Sequence, residues 1–385
     1  MIRLIATSVA MAWLAGAAPR AISAPPAAAA VAPIAFDFVH DQQILFPTTI
    51  NGHRAEAWLD SGASATVVDA AFARQIGLPP GVPVAANGVS GRISGAYMTL
   101  VQMATGGAAP TPRAAVVMDM AAVAAAVDRP VQVILGRDVF DASVVDIDFA
   151  GRQLRLIPRE AFQPPAAPPL PLKPSGTLHS IPIVVEGRPM EAVVDLGHAG
   201  ALMIDRKTAD RLGLAPGAHA STEIGVGADG PREHVVASLG PVQVAGLNLR
   251  GVPTTFVDQL SSRAPANVGL QILSRFEVIL DFRGERAWLL PNRNVAEAGF
   301  RKNRSGLAAN RAGNHLSVVH VAPGSPAAAA GWKVGEAIAA IDGEAIGPGY
   351  GASGAWGFSY RPAGSTVRFT MADGTRRSLT LGDYY

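Results

Sequence analysis

Trp58-Leu59-Asp60-Ser61-Gly62-Ala63-Ser64-Ala65-Thr66-Val67-Val68-Asp69 is the stretch from which the fold can be read. Glu56-Ala57-Trp58-Leu59 has the content of a strand, Gly62 permits a tight turn that bulkier residues resist, and Thr66-Val67-Val68 returns to β-branched composition. Asp60 therefore sits on a turn between two strands, at the end of an apolar run. Asp-Ser-Gly alone is ordinary turn chemistry, equally suited to an exposed, purely structural aspartate. Its meaning depends on what the rest of the chain repeats.

Glu191-Ala192-Val193-Val194-Asp195-Leu196-Gly197-His198-Ala199-Gly200-Ala201-Leu202-Met203-Ile204-Asp205 repeats the apolar run, the Asp-x-Gly turn and the return to an apolar strand. Each copy follows a glycine-containing hairpin signal, Asn51-Gly52-His53-Arg54 or Glu186-Gly187-Arg188, and precedes a short amphipathic segment, Phe72 to Gly81 or Ala209 to Gly217. Each half closes with a similar block. Val133-Ile134-Leu135-Gly136 leads to Asp148-Phe149-Ala150-Gly151, and Asn267-Val268-Gly269 leads to Asp281-Phe282-Arg283-Gly284, with twelve residues from Gly to Asp in both. Several motifs duplicated in one order imply two copies of one structural unit.

The turn resembles the active-site loop of the aspartic proteases, Asp-Thr/Ser-Gly-Ala/Ser, with Ala63 giving it the retropepsin-like form. The resemblance implies an all-β dominated protein with two tandem retropepsin-like β-barrel lobes in one chain, and an endopeptidase without metal or cofactor. In such a site two close carboxylates share a proton, one activating a water and the other donating toward the peptide carbonyl. The resemblance assigns the dyad to Asp60 and Asp195, with Ser61 bracing the turn, Gly62 and Gly197 allowing backbone approach, and Gly136 and Gly269 passing behind the catalytic turns where a side chain would collide. It also implies substrate-covering flaps, at Gly88, Gly91 and Gly95 in the first half and at Gly225, Gly227 and Gly230 in the second. Leu196 departs from the pattern, because the family places a hydroxyl there that reaches across to the other loop, and His198 replaces a small residue. Two alternatives follow from that departure: a degenerate second lobe, or an active site assembled from two chains. Gly225-Val226-Gly227-Ala228-Asp229-Gly230 also spells the dinucleotide-binding pattern, but Pro231-Arg232-Glu233-His234-Val235-Val236 reads as a returning strand where a phosphate cradle needs a helix. Asp146 and Asp148 read as structural, since Asp148-Phe149-Ala150-Gly151 is itself a turn.

Composition sets the outer limits. With 41 glycines, 30 prolines and only 16% charged residues among 385, the chain suits turn-rich β structure and two to three domains. The absence of cysteine excludes disulfides, thiol catalysis and thiolate metal sites. A net charge of +2 makes nucleic acid a poor partner. Arg3, the apolar Leu4 to Leu14 run and the small residues to Ser23 read as a signal peptide over 1–24, too short to span a bilayer, followed by an Ala/Pro-rich tether over 25–33. The expected location is therefore the cell envelope, periplasmic or secreted, with no transmembrane span after cleavage.

The first lobe is expected over 34–160. Gln163 to Pro174, with six prolines in twelve residues, excludes a central strand or helix interior and marks a linker over 161–176. The second lobe is expected over 177–291. The remainder, 299–385, differs in kind. His315 to Glu344, with its Pro323-Gly324-Ser325-Pro326 turn, short helix ending at Gly331 and Asp342-Gly343 turn, resembles the core of bacterial PDZ domains. That resemblance implies peptide or protein C-termini as ligands, held in a backbone nest at Gly299 and Phe300 or at Gly306 and Leu307. A secreted peptide-binding protein with an inactive protease fold is the alternative function.

Overall fold

The strand that ends at Asp60 does not pair with the strand that follows it. In the computed structural model, which describes residues 31–87, 92–126, 129–214, 216–217, 219–227, 230–260, 262–292 and 299–385, His53–Leu59 and Val67–Asp69 are separated by Val133–Leu135. That strand runs parallel to the first, with Ile134 opposite Trp58, and antiparallel to the second. The second half repeats the arrangement: Ala266–Val268 lies between Arg188–Val194 and Leu202–Asp205, with Asn267 opposite Val193. Each aspartate turn thus emerges where a distant strand splits its flanks, and the turn cannot collapse into a hairpin. Asp69 and Asp205 then start the two amphipathic helices, Ala70–Gln75 and Arg206–Leu212. Their carboxylates accept from backbone N–H groups of the first turn.

Around these cores the first half builds an eight-stranded sheet. A pairing of Gln43–Ile50 with Tyr97–Thr105, Ile50 opposite Met103, folds it into a barrel. The second half builds a ten-stranded sheet of similar order. The protein is all-β with few and short helices, and its two halves are tandem repeats of one strand arrangement.

The closing blocks leave their own halves and join in one sheet. Val144–Asp148 pairs antiparallel with Phe276–Asp281, Ile147 opposite Val278, within the order Ile34–Ala35, Gln153–Ile157, Val144–Asp148, Phe276–Asp281, Arg286–Pro291, Leu170–Pro171. Asp148 and Asp281 accept from Gly151 and Gly284 N–H at 2.9 and 3.0 Å, which is the turn role read from sequence. The proline-rich segment also joins sheets, at their margins: Leu170–Pro171 is an outer strand of the shared sheet, and Lys173–Ser175 pairs with Leu178–Val185. Proline lacks the donor an interior strand must supply, so edges are where such a segment fits.

The last portion forms a separate six-stranded sheet with its own core, including Leu316, Val318, Trp332, Ile338, Phe358 and Phe369. Ser325 caps the helix Pro326–Ala329, Gly331 follows it at φ +72°, and Thr366–Met371 pairs with Arg376–Thr380. This sheet docks on both halves. His40 stacks on Trp356 at 3.5 Å between ring centres, Ser221 Oγ donates to Pro323 O at 2.6 Å, and His320 Nδ1 lies 3.2 Å from a Glu233 carboxylate oxygen. No described helix is long and apolar enough to cross a membrane. The expected signal peptide, most of the tether, and Gly88 and Gly91 lie outside the described residues.

Candidate active site

Asp60 and Asp195 are carried on two turns of one chain that face each other. Each turn is held from behind in the same way. Asp60 N–H donates to Leu135 O and Asp195 N–H to Val268 O, both at 3.0 Å, and each carboxylate accepts from the glycine two residues on, Gly62 N–H at 2.8 Å and Gly197 N–H at 3.0 Å. The glycines also bring the turns together. A Cβ added at Gly62 would stand 2.7 Å from Asp195 Oδ1, and one at Gly197 would stand 2.3 Å from Asp60 Oδ1. Only a residue without a side chain lets each carboxylate lie against the opposite turn.

Behind the turns, a Cβ at Gly136 would meet Ala65 O at 2.4 Å and Ala63 O at 2.8 Å, and one at Gly269 would meet Gly200 O at 2.5 Å and His198 O at 2.6 Å. Both glycines pass directly behind the aspartate turns.

Ser61 makes the cross-turn brace. Its Oγ donates to Val194 O at 2.6 Å and accepts from Leu196 N–H at 3.0 Å, so one buried hydroxyl ties the two turns. The reciprocal brace is absent, because Leu196 is fully buried among core residues and offers no hydroxyl. A different polar contact appears on that side. Asn267, 7% exposed, donates from Nδ2 to Asp195 Oδ2 at 3.0 Å. Asn267 is not among the site residues that the sequence motifs single out. The available signal was its being polar where the first half has Ile134.

Burial of the Asp60 carboxyl, and next the charge of Asp195, push its pKa up to about 7, against the opposing hydrogen bonds from Gly62 and Ala63 N–H. Burial lowers that of His198, with Asp195 opposing. The raised Asp60 value has a stability consequence. From about pH 4 to about pH 7 the folded protein keeps a proton that an unfolded aspartate has released, so this contribution is complete at the acid end and lost as pH rises through about 7. Asp60→Asn should remove that dependence. Thermal melting across this range should show the variant gaining stability relative to the parent as pH rises, and parallel curves would contradict the assignment.

Of the expected flap glycines, Gly95 follows the short pair Ala86–Asn87 and Arg92–Ile93 with φ +74°. In the second half Gly225 pairs with Arg232 and Gly227 with Gly230, in the hairpin of Ser221–Gly227 and Gly230–Leu239. Gly230 opens a strand, which removes the dinucleotide-cradle reading.

The expected carboxylate nest differs from its sequence reading. Asn303 Oδ1 accepts from Ser305 and Gly306 N–H, both at 3.0 Å, and Ser305 Oγ accepts from Leu307 N–H at 3.0 Å. These donors are spent inside the turn. Phe300 packs against the core of the two halves with the Arg275 guanidinium 4.2 Å over its ring, and Gly299 lies beside it, so neither contributes to that turn.

The model of a family described as Aspartyl protease matches the chain twice, over residues 46–139 and 181–272. Each match contains one aspartate turn and the glycine behind it. No curated protein matches the chain. Among solved structures, the EIAV protease complexed with the inhibitor HBY-793 is 23% identical, over 26% of this chain and 85% of that one, with a TM-score of 0.21. That likeness is too loose to bear on the site.

Proposed function

We propose that the chain is an aspartic endopeptidase whose dyad is Asp60 and Asp195 of a single chain. The observation that carries this reading is the reciprocal packing of each carboxylate against the glycine of the opposite turn, 2.7 and 2.3 Å from the added Cβ positions. Two carboxyls so confined hold one proton between them at acid to neutral pH. The ionised member takes a proton from water as the water oxygen adds to the peptide carbonyl, and the protonated member donates to the carbonyl oxygen. Collapse of the tetrahedral intermediate then breaks the C–N bond: the leaving amine takes the proton that the first carboxyl drew from water, and the other carboxylate recovers its proton from the intermediate's hydroxyl, which restores the dyad. Ser61 fixes the turns relative to each other, and the glycine-bearing hairpins cover the substrate.

The lobes extend over 34–160 and 177–291, and 299–385 is a PDZ-like module, supported by its strand, capped helix and closing hairpin order. Leu307–Ala312 is the edge strand of that sheet and would take an extended peptide by strand addition. The paired N–H groups of residues 305–307 give no support to capture of a terminal carboxylate there. The charged and apolar character of residues 1–24 supports export to the cell envelope.

Leu196 favours a second reading, an inactive protease fold that binds peptides. A peptide-library digest from acid to neutral pH separates the two. Cleavage inhibited by a statine-type peptide and unchanged by EDTA is the expected result, since among the described residues no three His, Cys, Asp or Glu side chains cluster to hold a metal ion. Binding without cleavage would establish the second reading, and loss of cleavage in EDTA with recovery on zinc would overturn the aspartic mechanism.

A further inference from the structure

We propose that Asn267 is a positioning residue that keeps the negative charge of the dyad on Asp195, so that Asp195 takes the proton from water and Asp60 carries the proton that is donated. This rests on the peptidase reading of the two turns.

The two halves repeat the same turn on the same strand scaffold; the Asp60 carboxyl has the backbone N–H of Ala63 beside it as well as that of Gly62, whereas the Asp195 carboxyl has a side-chain amide. Both accept from the glycine two residues on. Only Asp195 also accepts from a side-chain amide, at its other oxygen, because Asn267 stands where the first half has Ile134. A carboxylate bonded at both oxygens by N–H donors is stabilised in its ionised form. Asp60 is left as the member that holds the proton, in keeping with its raised pKa.

The placement of Asn267 is costly on other grounds. It sits in a short buried strand, its Oδ1 has no hydrogen-bond partner, and apolar residues fill the equivalent positions of Val133–Leu135. A buried amide with one oxygen unpaired is destabilising unless its other end meets something better than a neutral acceptor. An ionised carboxylate is such a partner. The titratable groups facing Asp195 are Asp60 from the opposite turn and His198 from its own. His198 is biased toward its neutral form by burial, so it leaves the balance of charge to the amide. With Leu196 unable to brace this turn, Asn267 also fixes the orientation of the carboxylate.

The test is a carbon-13 NMR titration of aspartate-labelled full-length protein, parent against Asn267→Ile, which copies the first half and preserves bulk. Asn267→Ala serves if the isoleucine variant does not fold. Asp60→Asn and Asp195→Asn spectra assign the two carboxyl resonances. The expected result is a parent in which Asp195 ionises first, and a variant in which its midpoint rises by about one pH unit, a tenfold change in proton affinity. The acid limb of the hydrolysis profile should move with it. A folded variant with an unmoved Asp195 midpoint, or a parent in which Asp60 ionises first, would overturn the proposal. The titration reads the carboxyls themselves, so a chain showing the shift and no hydrolysis would uphold Asn267 and refute the peptidase.

Discussion

Asp60→Asn and Asp195→Asn should each lower peptide hydrolysis by roughly 10³-fold or more while leaving the circular dichroism spectrum unchanged. An amide is nearly isosteric with a carboxyl, so the turns should hold: Gly62 and Gly197 N–H can still donate to the side-chain oxygen. What disappears is the shared proton. A lone carboxylate opposite an amide can accept from water but has no partner acid, and a lone acid has no partner base. The asymmetry between Asp60-Ser61-Gly62 and Asp195-Leu196-Gly197 sharpens the comparison. If the second half were degenerate and two first halves paired, Asp195→Asn would be nearly silent, and activity would fall on dilution through a dimer dissociation constant. Equal lesions, independent of concentration, are the expected outcome.

Gly136→Ala should destabilise the protein by about 3 kcal/mol, at the upper end of the usual range for overpacking. The added methyl would lie 2.4 and 2.8 Å from two backbone carbonyls of the Asp60 turn, Ala65 O and Ala63 O. Neither oxygen belongs to a flexible side chain, and Ala63 O is further held by Arg137 N–H at 2.9 Å. Relief therefore requires displacing the turn that carries Asp60, and activity should fall along with stability. Gly347→Ala, where the methyl would enter open space, should be close to neutral. Urea denaturation of both variants checks the pair, and a Gly136→Ala protein as stable as Gly347→Ala would refute the close approach.

The duplication was legible because each part of it rests on local chemistry. An apolar strand, an Asp-x-Gly turn and a capped amphipathic helix all leave marks within a few residues, and the Asp148 and Asp281 turns do the same. What lay beyond reading was pairing between distant segments. Nothing in Val144–Asp148 announces that its neighbour is Phe276–Asp281 from the other half, since two apolar strands with similar composition could as easily have stayed in their own barrels. The insertion of Val133–Leu135 between the flanks of the Asp60 turn is equally non-local. Asn267 was visible as a polar residue in an apolar strand, yet only the fold brings its amide to Asp195. The nest at Gly306 and Leu307, which the resemblance of 299–385 implies, needs free N–H groups, and Asn303, three residues upstream of Gly306, takes two of the three in that turn.

The two turns of one chain are held to form one site, and a transition-state analogue counts sites directly. A peptide bearing a hydroxyl-substituted tetrahedral carbon in place of the scissile carbonyl should bind with a stoichiometry of one per chain by calorimetry, because both carboxyls that would grip the hydroxyl belong to the same molecule. The same titration on Asp195→Asn should lose most of the affinity. One ligand per two chains, or undiminished binding to Asp195→Asn, would contradict a dyad built from Asp60 and Asp195 of a single chain.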